Sequence, residues 1–295
     1  ESKELSRKDL THLTCLAIDN SDSSDADDAI SIDGDKLWIH IADVASYVEI
    51  DSELDIFAQK RASNLYLPDQ IFHMLPPELS RACSLGGSES SNAISIGLRF
   101  DESEISDIEI HLSEIKVTSM SYEHADKVIN ENEILSKLNN IAISHKAFRS
   151  DNGAIKLNLP SVDVKIKDEK VFVLPQVDSG SRELVAEMMV IAGRTIAQFA
   201  IENNISLPYL TQEAGNFSKD VIDNIQKLTI AKAFEASRGF KRSKITVKPS
   251  VHSGLGLSAY TRATSPMRRY LDLLVQQQLV RFVSKLPTLD DNAVK

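Results

Sequence analysis

Residues 19–28 read Asp19-Asn-Ser-Asp22-Ser-Ser-Asp25-Ala-Asp27-Asp28, five carboxylates in ten positions with no basic side chain among them. Apolar runs flank the stretch, Leu13–Ile18 before it and Ala29–Ile32 after it. The pattern predicts a strand running into an acidic loop and a second strand leaving it. Unneutralised, these charges repel, so a fold that gathers them must compensate them. Clustered oxygen ligands of this kind suit hard divalent cations such as Mg²⁺. The bland alternative is a solvated polar turn. In an extended segment Asp25 and Asp27 share a face and Asp28 points away. A loop folding back could bring Asp19, Asp25 and Asp28 to one ion and leave Asp27 for a second. A calcium loop of the EF-hand type fails, because the sixth position from Asp19 is not Gly and the twelfth is Ile30, not Glu.

A chain of 295 residues can bury a sizeable core. Its first residue is Glu1, which reads as a fragment or a processed chain. No apolar run approaches the length of a membrane span and no signal peptide is visible, so no membrane partner is expected. Cys15 and Cys83 match no metal or redox spacing and read as buried free thiols of a reducing compartment. The net charge of −10 argues against broad nucleic-acid binding. The charge is unevenly spread, however. Between Gly239 and Tyr270 stand Lys241, Arg242, Lys244, Lys248, Arg262, Arg268 and Arg269, with no Asp or Glu. Phe240, Tyr260 and Tyr270 are interleaved with them. Cations mixed with aromatics suit single-stranded nucleic acid, phosphates on the cations and bases on the rings. A solvated basic face is the alternative.

The chain reads as one mixed α and β domain with no internal repeat and no linker. A lead-in segment covers 1–12, the domain 13–287 and a tail 288–295. Ala29–Ile32 and Leu37–Ala42 form a hairpin about Asp33-Gly34-Asp35-Lys36. Asp51 caps a helix to about Ala62. Tyr66-Leu-Pro68 and Met74-Leu-Pro-Pro77 form an ordered loop. Ala93–Phe100 and Ile105–Val117 make a second hairpin. A long amphipathic helix spans Tyr122 to about Ala147. Strands follow at Ile155–Leu159 and Val162–Ile166, the latter pairing with Val171–Leu174. Arg182 to about Glu202 is a helix apolar on nearly every side and hence buried. Asn216 or Ser218 caps a helix to Arg238, and Ser265-Pro266 opens the last one.

Two further features bear on chemistry. Arg268 falls in the first turn predicted for the last helix, where a cation is unfavourable unless an anion sits in front of it. That anion is either a phosphate or a neighbouring carboxylate. Glu187, inside Leu184-Val-Ala-Glu-Met-Met-Val-Ile191, is costly to bury unpaired. Its partner is an arginine such as Arg194 or a ligand hydroxyl, and the residues alone favour the structural pair. Core packing is the default for Tyr66 and Tyr122. The histidines form no metal set, and neither a nucleophilic triad nor a phosphate-binding P-loop is present.

Taken together, the motifs resemble the ribonuclease II family through its catalytic RNB domain. The resemblance rests on Ala17-Ile-Asp19 through Asp25-Ala-Asp27-Asp28-Ala-Ile, His40-Ile-Ala-Asp43-Val, Tyr66-Leu-Pro68, Met74-Leu-Pro-Pro-Glu-Leu-Ser80, Gly254-Leu-Gly-Leu-Ser-Ala-Tyr260 and Thr264-Ser-Pro-Met-Arg268-Arg269-Tyr270. They occur in the family's order from about residue 7 to 285. It implies an α+β fold, a twisted and mostly antiparallel sheet surrounded by helices that form an RNA channel. It implies processive 3′→5′ hydrolysis of single-stranded RNA to nucleoside 5′-monophosphates, dependent on Mg²⁺ with Mn²⁺ as the substitute. The family aspartates fall on Asp19, Asp25, Asp27 and Asp28: Asp19 and Asp28 as main ligands, Asp25 in support, Asp27 as the residue most needed for the chemistry. The arginine that grips the scissile phosphate falls on Arg268. Tyr66 matches a base-stacking aromatic, and Tyr122 and Glu187 match positions near the terminal nucleotides, Glu187 on a ribose hydroxyl. Arg269 and Tyr260 complete the expected RNA-binding set.

Leu157 stands where many members carry a second aromatic clamp, and Pro208-Tyr-Leu-Thr-Gln212 lacks the family's usual Arg and His. The latter points towards the cyanobacterial and plastid branch, hence to a bacterial cytoplasm or an organelle. The family's flanking cold-shock and S1 domains are missing, and a monomer is expected. A catalytically silent RNA-binding scaffold of the same fold is the competing reading.

Overall fold

Short apolar runs broken by polar turns put most of the β-structure into the first 121 residues. The computed structural model describes residues 6–21, 26–157, 159–167, 170–175, 178–218, 221–222 and 225–295. Its strands are β1 (Lys8–Asp9), β2 (Cys15–Asp19), β3 (Asp28–Asp33), β4 (Lys36–Ala42), β5 (Leu65–Tyr66), β6 (Ile71–Phe72), β7 (Ser91–Asp101), β8 (Glu104–Ile115), β9 (Val117–Ser121), β10 (Val162–Lys167), β11 (Lys170–Pro175), β12 (Tyr209–Thr211) and β13 (Lys244–Thr246). Seven of them form one sheet in the order β1-β8-β7-β4-β3-β2-β9. The outer strands β1 and β9 pair parallel with β8 and β2, and every other pair is antiparallel. The mixed, mostly antiparallel sheet expected from the sequence is therefore present. The β3–β4 turn passes through Gly34 at φ +62, a conformation only glycine adopts without strain. At Gly97 of β7 a Cβ would stand 2.7 Å from the Trp38 indole, so glycine lets the only tryptophan lie flat on the strand.

The α-helices among the described residues are α1 (Glu53–Arg61), α2 (Pro77–Cys83), α3 (Tyr122–Val128), α4 (Glu133–Asp151), α5 (Gly180–Glu202), α6 (Ile230–Ser237), α7 (Tyr270–Val283) and α8 (Asp291–Val294). Several boundaries differ from the sequence reading, each for a local reason. Ser52, not Asp51, caps α1, and Asp51 sits at φ +63. The helix expected over 122–147 is two helices, because the Asn132 side chain accepts from Leu135 N at 3.0 Å and starts a new one. The described residues of 155–159 form no strand. Of the helix expected from Asn216 or Ser218 to Arg238, the described residues show a helical start at 221–222, where Val221 N donates to Ser218 Oγ at 3.4 Å, then a 3₁₀ turn at Ile225–Lys227 and α6, which has its own cap in Thr229. The last helix is capped at Arg269 and starts at Tyr270, four residues later than the cap expected at Ser265. Arg268 N and Arg269 N both donate to Ser265 O, which closes a tight turn, and Arg269 then extends (φ −141, ψ 124) to bridge Ser63.

The long helix α5 is the spine of the core. Leu184, Met188, Ile191, Ala192 and Ile196 are buried with the inner face of the sheet. By length and composition α5 could cross a membrane, yet it is mostly buried in this fold. Gly193 lets it meet the chain end closely: a Cβ there would lie 2.3 Å from the Tyr260 ring and 2.4 Å from Thr261 O. Of the predicted lead-in, residues 8–9 join the sheet as β1, and in the predicted tail Val294 of α8 is buried.

Candidate active site

The acidic stretch lies where β2 and β3 meet at one end of the sheet. Leu16 pairs with Ile30, which brings Asp19, at the end of β2, near Asp28, at the start of β3. Asn20 N donates to Asp19 Oδ1 at 2.7 Å, and Ala42 N donates to Asp27 O at 2.8 Å. Asp25 and Asp22 fall outside the described residues. The other half of the site comes from the far end of the chain. Arg268 Nε donates to Asp27 Oδ2 at 2.8 Å, across a separation of 241 residues. Asn64 N donates to Arg268 O and Tyr270 N to Ala62 O, so residues 62–64 lie alongside the arginine turn. Tyr66 follows on the β5–β6 hairpin, 56 % exposed, and its hydroxyl accepts from Asn64 Nδ2 at 3.3 Å.

Asp19, Asp27, Asp28, Tyr66, Tyr122, Tyr260, Arg268 and Arg269 all line one cleft of about 690 Å³. The predicted residues are thus gathered, with two exceptions: Asp25 is not described, and Glu187 lies in an adjoining cleft. Arg268 is not inside a helix but in the turn just before Arg269, the N-cap of α7. Its anionic neighbour here is Asp27, the carboxylate alternative. Arg269 lines the cleft while its guanidinium grips buried Asp272, which also accepts from Ser265 N at 2.9 Å.

The electrostatics are those of an under-compensated acidic centre. Asp27 is 7 % exposed, and its Oδ1 is buried without a hydrogen-bond partner. Burial pushes its carboxyl up to about 6 even though Arg268 works the other way. Asp28 is pushed up to about 7 by burial, with the carboxylates of Asp27 and Asp19 adding to the effect. The Tyr122 phenol rises to about 12, from burial first and then from Asp19 and Asp28. Arg268 is held above its usual range because Asp27 outweighs the cost of its burial. Excess negative charge, an orphaned carboxylate oxygen and an all-oxygen donor set fit a hard divalent cation. Among the described residues no three acidic, His or Cys side chains are already drawn into a metal cage. The fit is therefore one of donor chemistry.

The adjoining cleft, about 390 Å³, shares Tyr122, Ala186 and Val190 with the first and adds Lys146, Arg149, Lys156 and Arg182 together with Asp178, Glu183 and Glu187. Glu187 is 5 % exposed and fully paired. Arg149 donates through Nε to Oε1 at 2.7 Å and through Nη2 to Oε2 at 2.5 Å, and His145 Nδ1 donates to Oε1 at 2.5 Å. The structural pair is present, but its arginine is Arg149, not Arg194, which instead pairs with Glu104 and covers Phe148. Burial opposes the Glu187 charge, and His145 and Arg149 outweigh it, holding the carboxyl below its usual range. Arg182 belongs to none of the sequence motifs. Its guanidinium stacks 4.1 Å from the Tyr122 ring and donates to Asn20 Oδ1 at 2.5 Å, joining α5 to the acidic loop.

The sequence matches the RNB domain over residues 7–285, and the chain belongs to that family. It is 35 % identical over 297 residues to an uncharacterized ribonuclease of Synechocystis, covering 95 % of this chain and 44 % of that protein. The Dss1 exoribonuclease of Candida glabrata superposes with a TM-score of 0.88 at 25 % identity, covering 98 % of this chain and 42 % of that one. Yeast Ssd1, described as a pseudonuclease, superposes with a TM-score of 0.77 at 20 % identity over 98 % of this chain and 42 % of its own, a likeness of fold alone. The chain spans less than half the length of these relatives.

Proposed function

We propose that this chain is the catalytic core of a metal-dependent exoribonuclease that hydrolyses single-stranded RNA from its 3′ end and releases nucleoside 5′-monophosphates. The observation that carries the reading is the Asp27–Arg268 contact: a guanidinium of the kind that can take a phosphate stands beside carboxylates whose charge it only partly offsets. Bound Mg²⁺, or Mn²⁺ in its place, would supply the Lewis acidity that activates water and steadies the leaving 3′ oxygen. Asp19 and Asp28 are the residues to hold it, with Asp25 in support, and the free Oδ1 of Asp27 is the ligand for a second ion. The Arg268 side chain is 47 % exposed, so its outer nitrogens can take the scissile phosphate while Nε stays on Asp27. Tyr66 offers an exposed ring to a base, and Tyr122 lines the way into the second cleft. Glu187 makes three contacts, and a carboxylate has about four lone-pair sites, so one ribose hydroxyl can still be accepted. No nucleophilic side chain is needed. Flanking cold-shock and S1 domains would lengthen the grip on RNA, and the cyanobacterial relative fits a bacterial or organellar setting.

The likeness to a pseudonuclease keeps a second reading, a silent RNA-binding scaffold. Asp19, Asp27, Asp28 and Arg268 are all in place against it. The test is 5′-labelled single-stranded RNA incubated with Mg²⁺ and either the intact chain or Asp27→Asn. The expected result is a ladder shortening from the 3′ end with the intact chain and at least a thousand-fold slower loss with the variant. Equal rates or internal cuts would overturn the mechanism, and RNA binding without hydrolysis by either would establish the scaffold.

A further inference from the structure

The structure splits the basic stretch of the sequence in two. Arg268 and Arg269 line the acidic cleft, whereas Lys241, Arg242, Lys244 and Lys248 do not. Those four stand exposed around β13, which follows α6 in the chain; α6 adds Lys232 and its C-cap Arg238, with Lys227 just before it. Residues 227–248 thus carry seven cations and one carboxylate, Glu235, in a chain of net charge −10. Among the described residues only Lys244 of the seven forms an ion pair, with Glu213. The same arm exposes an aromatic ring: Phe234 is 60 % exposed, with the Arg238 guanidinium 6.0 Å from it.

The base of the arm is closely packed and tied to a loop that borders the second cleft. Phe217 and Phe240 meet edge to face at 4.9 Å, and a Cβ on Gly215 or Gly239 would come within 2.2 Å or 2.8 Å of the Phe217 ring. Gln212 ties the arm to the next loop, donating to Lys241 O at 2.7 Å and accepting from Gly254 N at 3.1 Å. That loop in turn meets the second cleft, where Arg149 Nη1 donates to Leu255 O at 3.2 Å. From there the second cleft, where Lys146 and Lys156 pair with Glu183 and Arg149 with Glu187, runs past Arg182 to Tyr122, which it shares with the acidic cleft.

We infer that the arm 227–248 is a second docking surface for single-stranded RNA, holding the chain upstream of the 3′ end that occupies the cleft. The inference rests on the proposed function for the identity of the polymer and on charge complementarity for the surface. The cations take phosphates, and Phe234 offers a stacking platform that is indifferent to sequence. Affinity then depends on RNA length, because only a long strand reaches both surfaces.

The test measures binding by the 295-residue chain of labelled oligo(U), about 5 or about 20 nucleotides long, by fluorescence anisotropy without divalent metal. The variant Lys241→Glu/Arg242→Glu/Lys248→Glu changes only exposed side chains, and its melting curve checks that it folds. The 20-mer is expected to lose at least about thirty-fold in affinity and about 2 units of salt slope, at about 0.7 for each phosphate no longer neutralised. The 5-mer is expected to stay within about two-fold. Phe234→Ala is expected to cost the 20-mer about five-fold. An unchanged 20-mer, or equal losses for both lengths, would overturn the inference. Because hydrolysis is not measured, a scaffold that binds but does not cut would still pass, so the two readings fail separately.

Discussion

Asp27 and Glu187 are equally hidden from water, 7 % and 5 % exposed, and their surroundings treat them in opposite ways. Glu187 has both oxygens engaged by Arg149 and His145 and is held below the usual carboxylate range. Asp27 has one oxygen on Arg268 and the other buried without a hydrogen bond of good geometry, and burial lifts its carboxyl to about 6 although Arg268 and the Met267 backbone N–H work the other way. A buried carboxylate whose charge is satisfied is a strut. One that shares a single arginine with neighbouring carboxylates is left with charge that a further cation can neutralise. The difference locates the chemistry at the sheet end and gives the α4–α5 contact a mainly structural part.

The comparison is most sharply broken by stability measurements on the two sides. Arg149→Ala strands Glu187 in the interior and should cost about 3–5 kcal/mol in urea unfolding. Asp27→Asn should act in the opposite direction in metal-free protein. Its carboxyl is raised from 3.8 to about 6, and at about 1.4 kcal/mol for each pH unit the gain at neutral pH is about 1–3 kcal/mol. Destabilisation of similar size in both variants would erase the distinction.

A smaller effect is expected from pH. Asp27 and Asp28 have folded-state carboxyls raised to about 6 and about 7 from 3.8. The native state therefore binds more protons than the unfolded chain in that window. Their contribution is full below about pH 4 and is lost as pH rises through 6 and 7. Glu187, lowered from 4.5, contributes above that value and is lost only as pH falls below it. The melting temperature of metal-free protein should fall by several degrees between about pH 5 and pH 8. Asp27→Asn/Asp28→Asn should flatten that slope, and a slope that survives the double variant would assign it elsewhere.

How far the site could be read from sequence follows the same divide. Asp19, Asp27, Asp28, Tyr66, Tyr122, Tyr260 and Arg268 lie in short, ordered motifs, and the fold brings them to one cleft. The hairpins at Gly34 and at Ser103 were legible because turn chemistry and strand alternation are local. The compensation of charge was not, because it is made between elements. Arg149 and His145 reach Glu187 from 38 and 42 residues away, on a helix whose own periodicity says nothing about its neighbour. Arg194, suggested by proximity in sequence, is two helical turns along from Glu187, about 10 Å of rise. Arg182 did carry a signal: it stands in the first turn of α5, an unfavourable place for a cation. The Ser265-Pro266 cap signal puts the start of the last helix four residues before the Arg269 cap observed, since extended Arg269 must pair with Ser63 before α7 can begin.

The central claim, that charge is left over at Asp27 and Asp28 and is not left over at Glu187, is tested most directly by Mn²⁺ binding followed by electron paramagnetic resonance in the absence of RNA. The intact chain and Glu187→Gln should bind Mn²⁺ alike, and Mg²⁺ should compete for the site. Asp27→Asn/Asp28→Asn should lose at least ten-fold in affinity while remaining folded. Equal Mn²⁺ binding by the intact chain and the double aspartate variant would contradict the account.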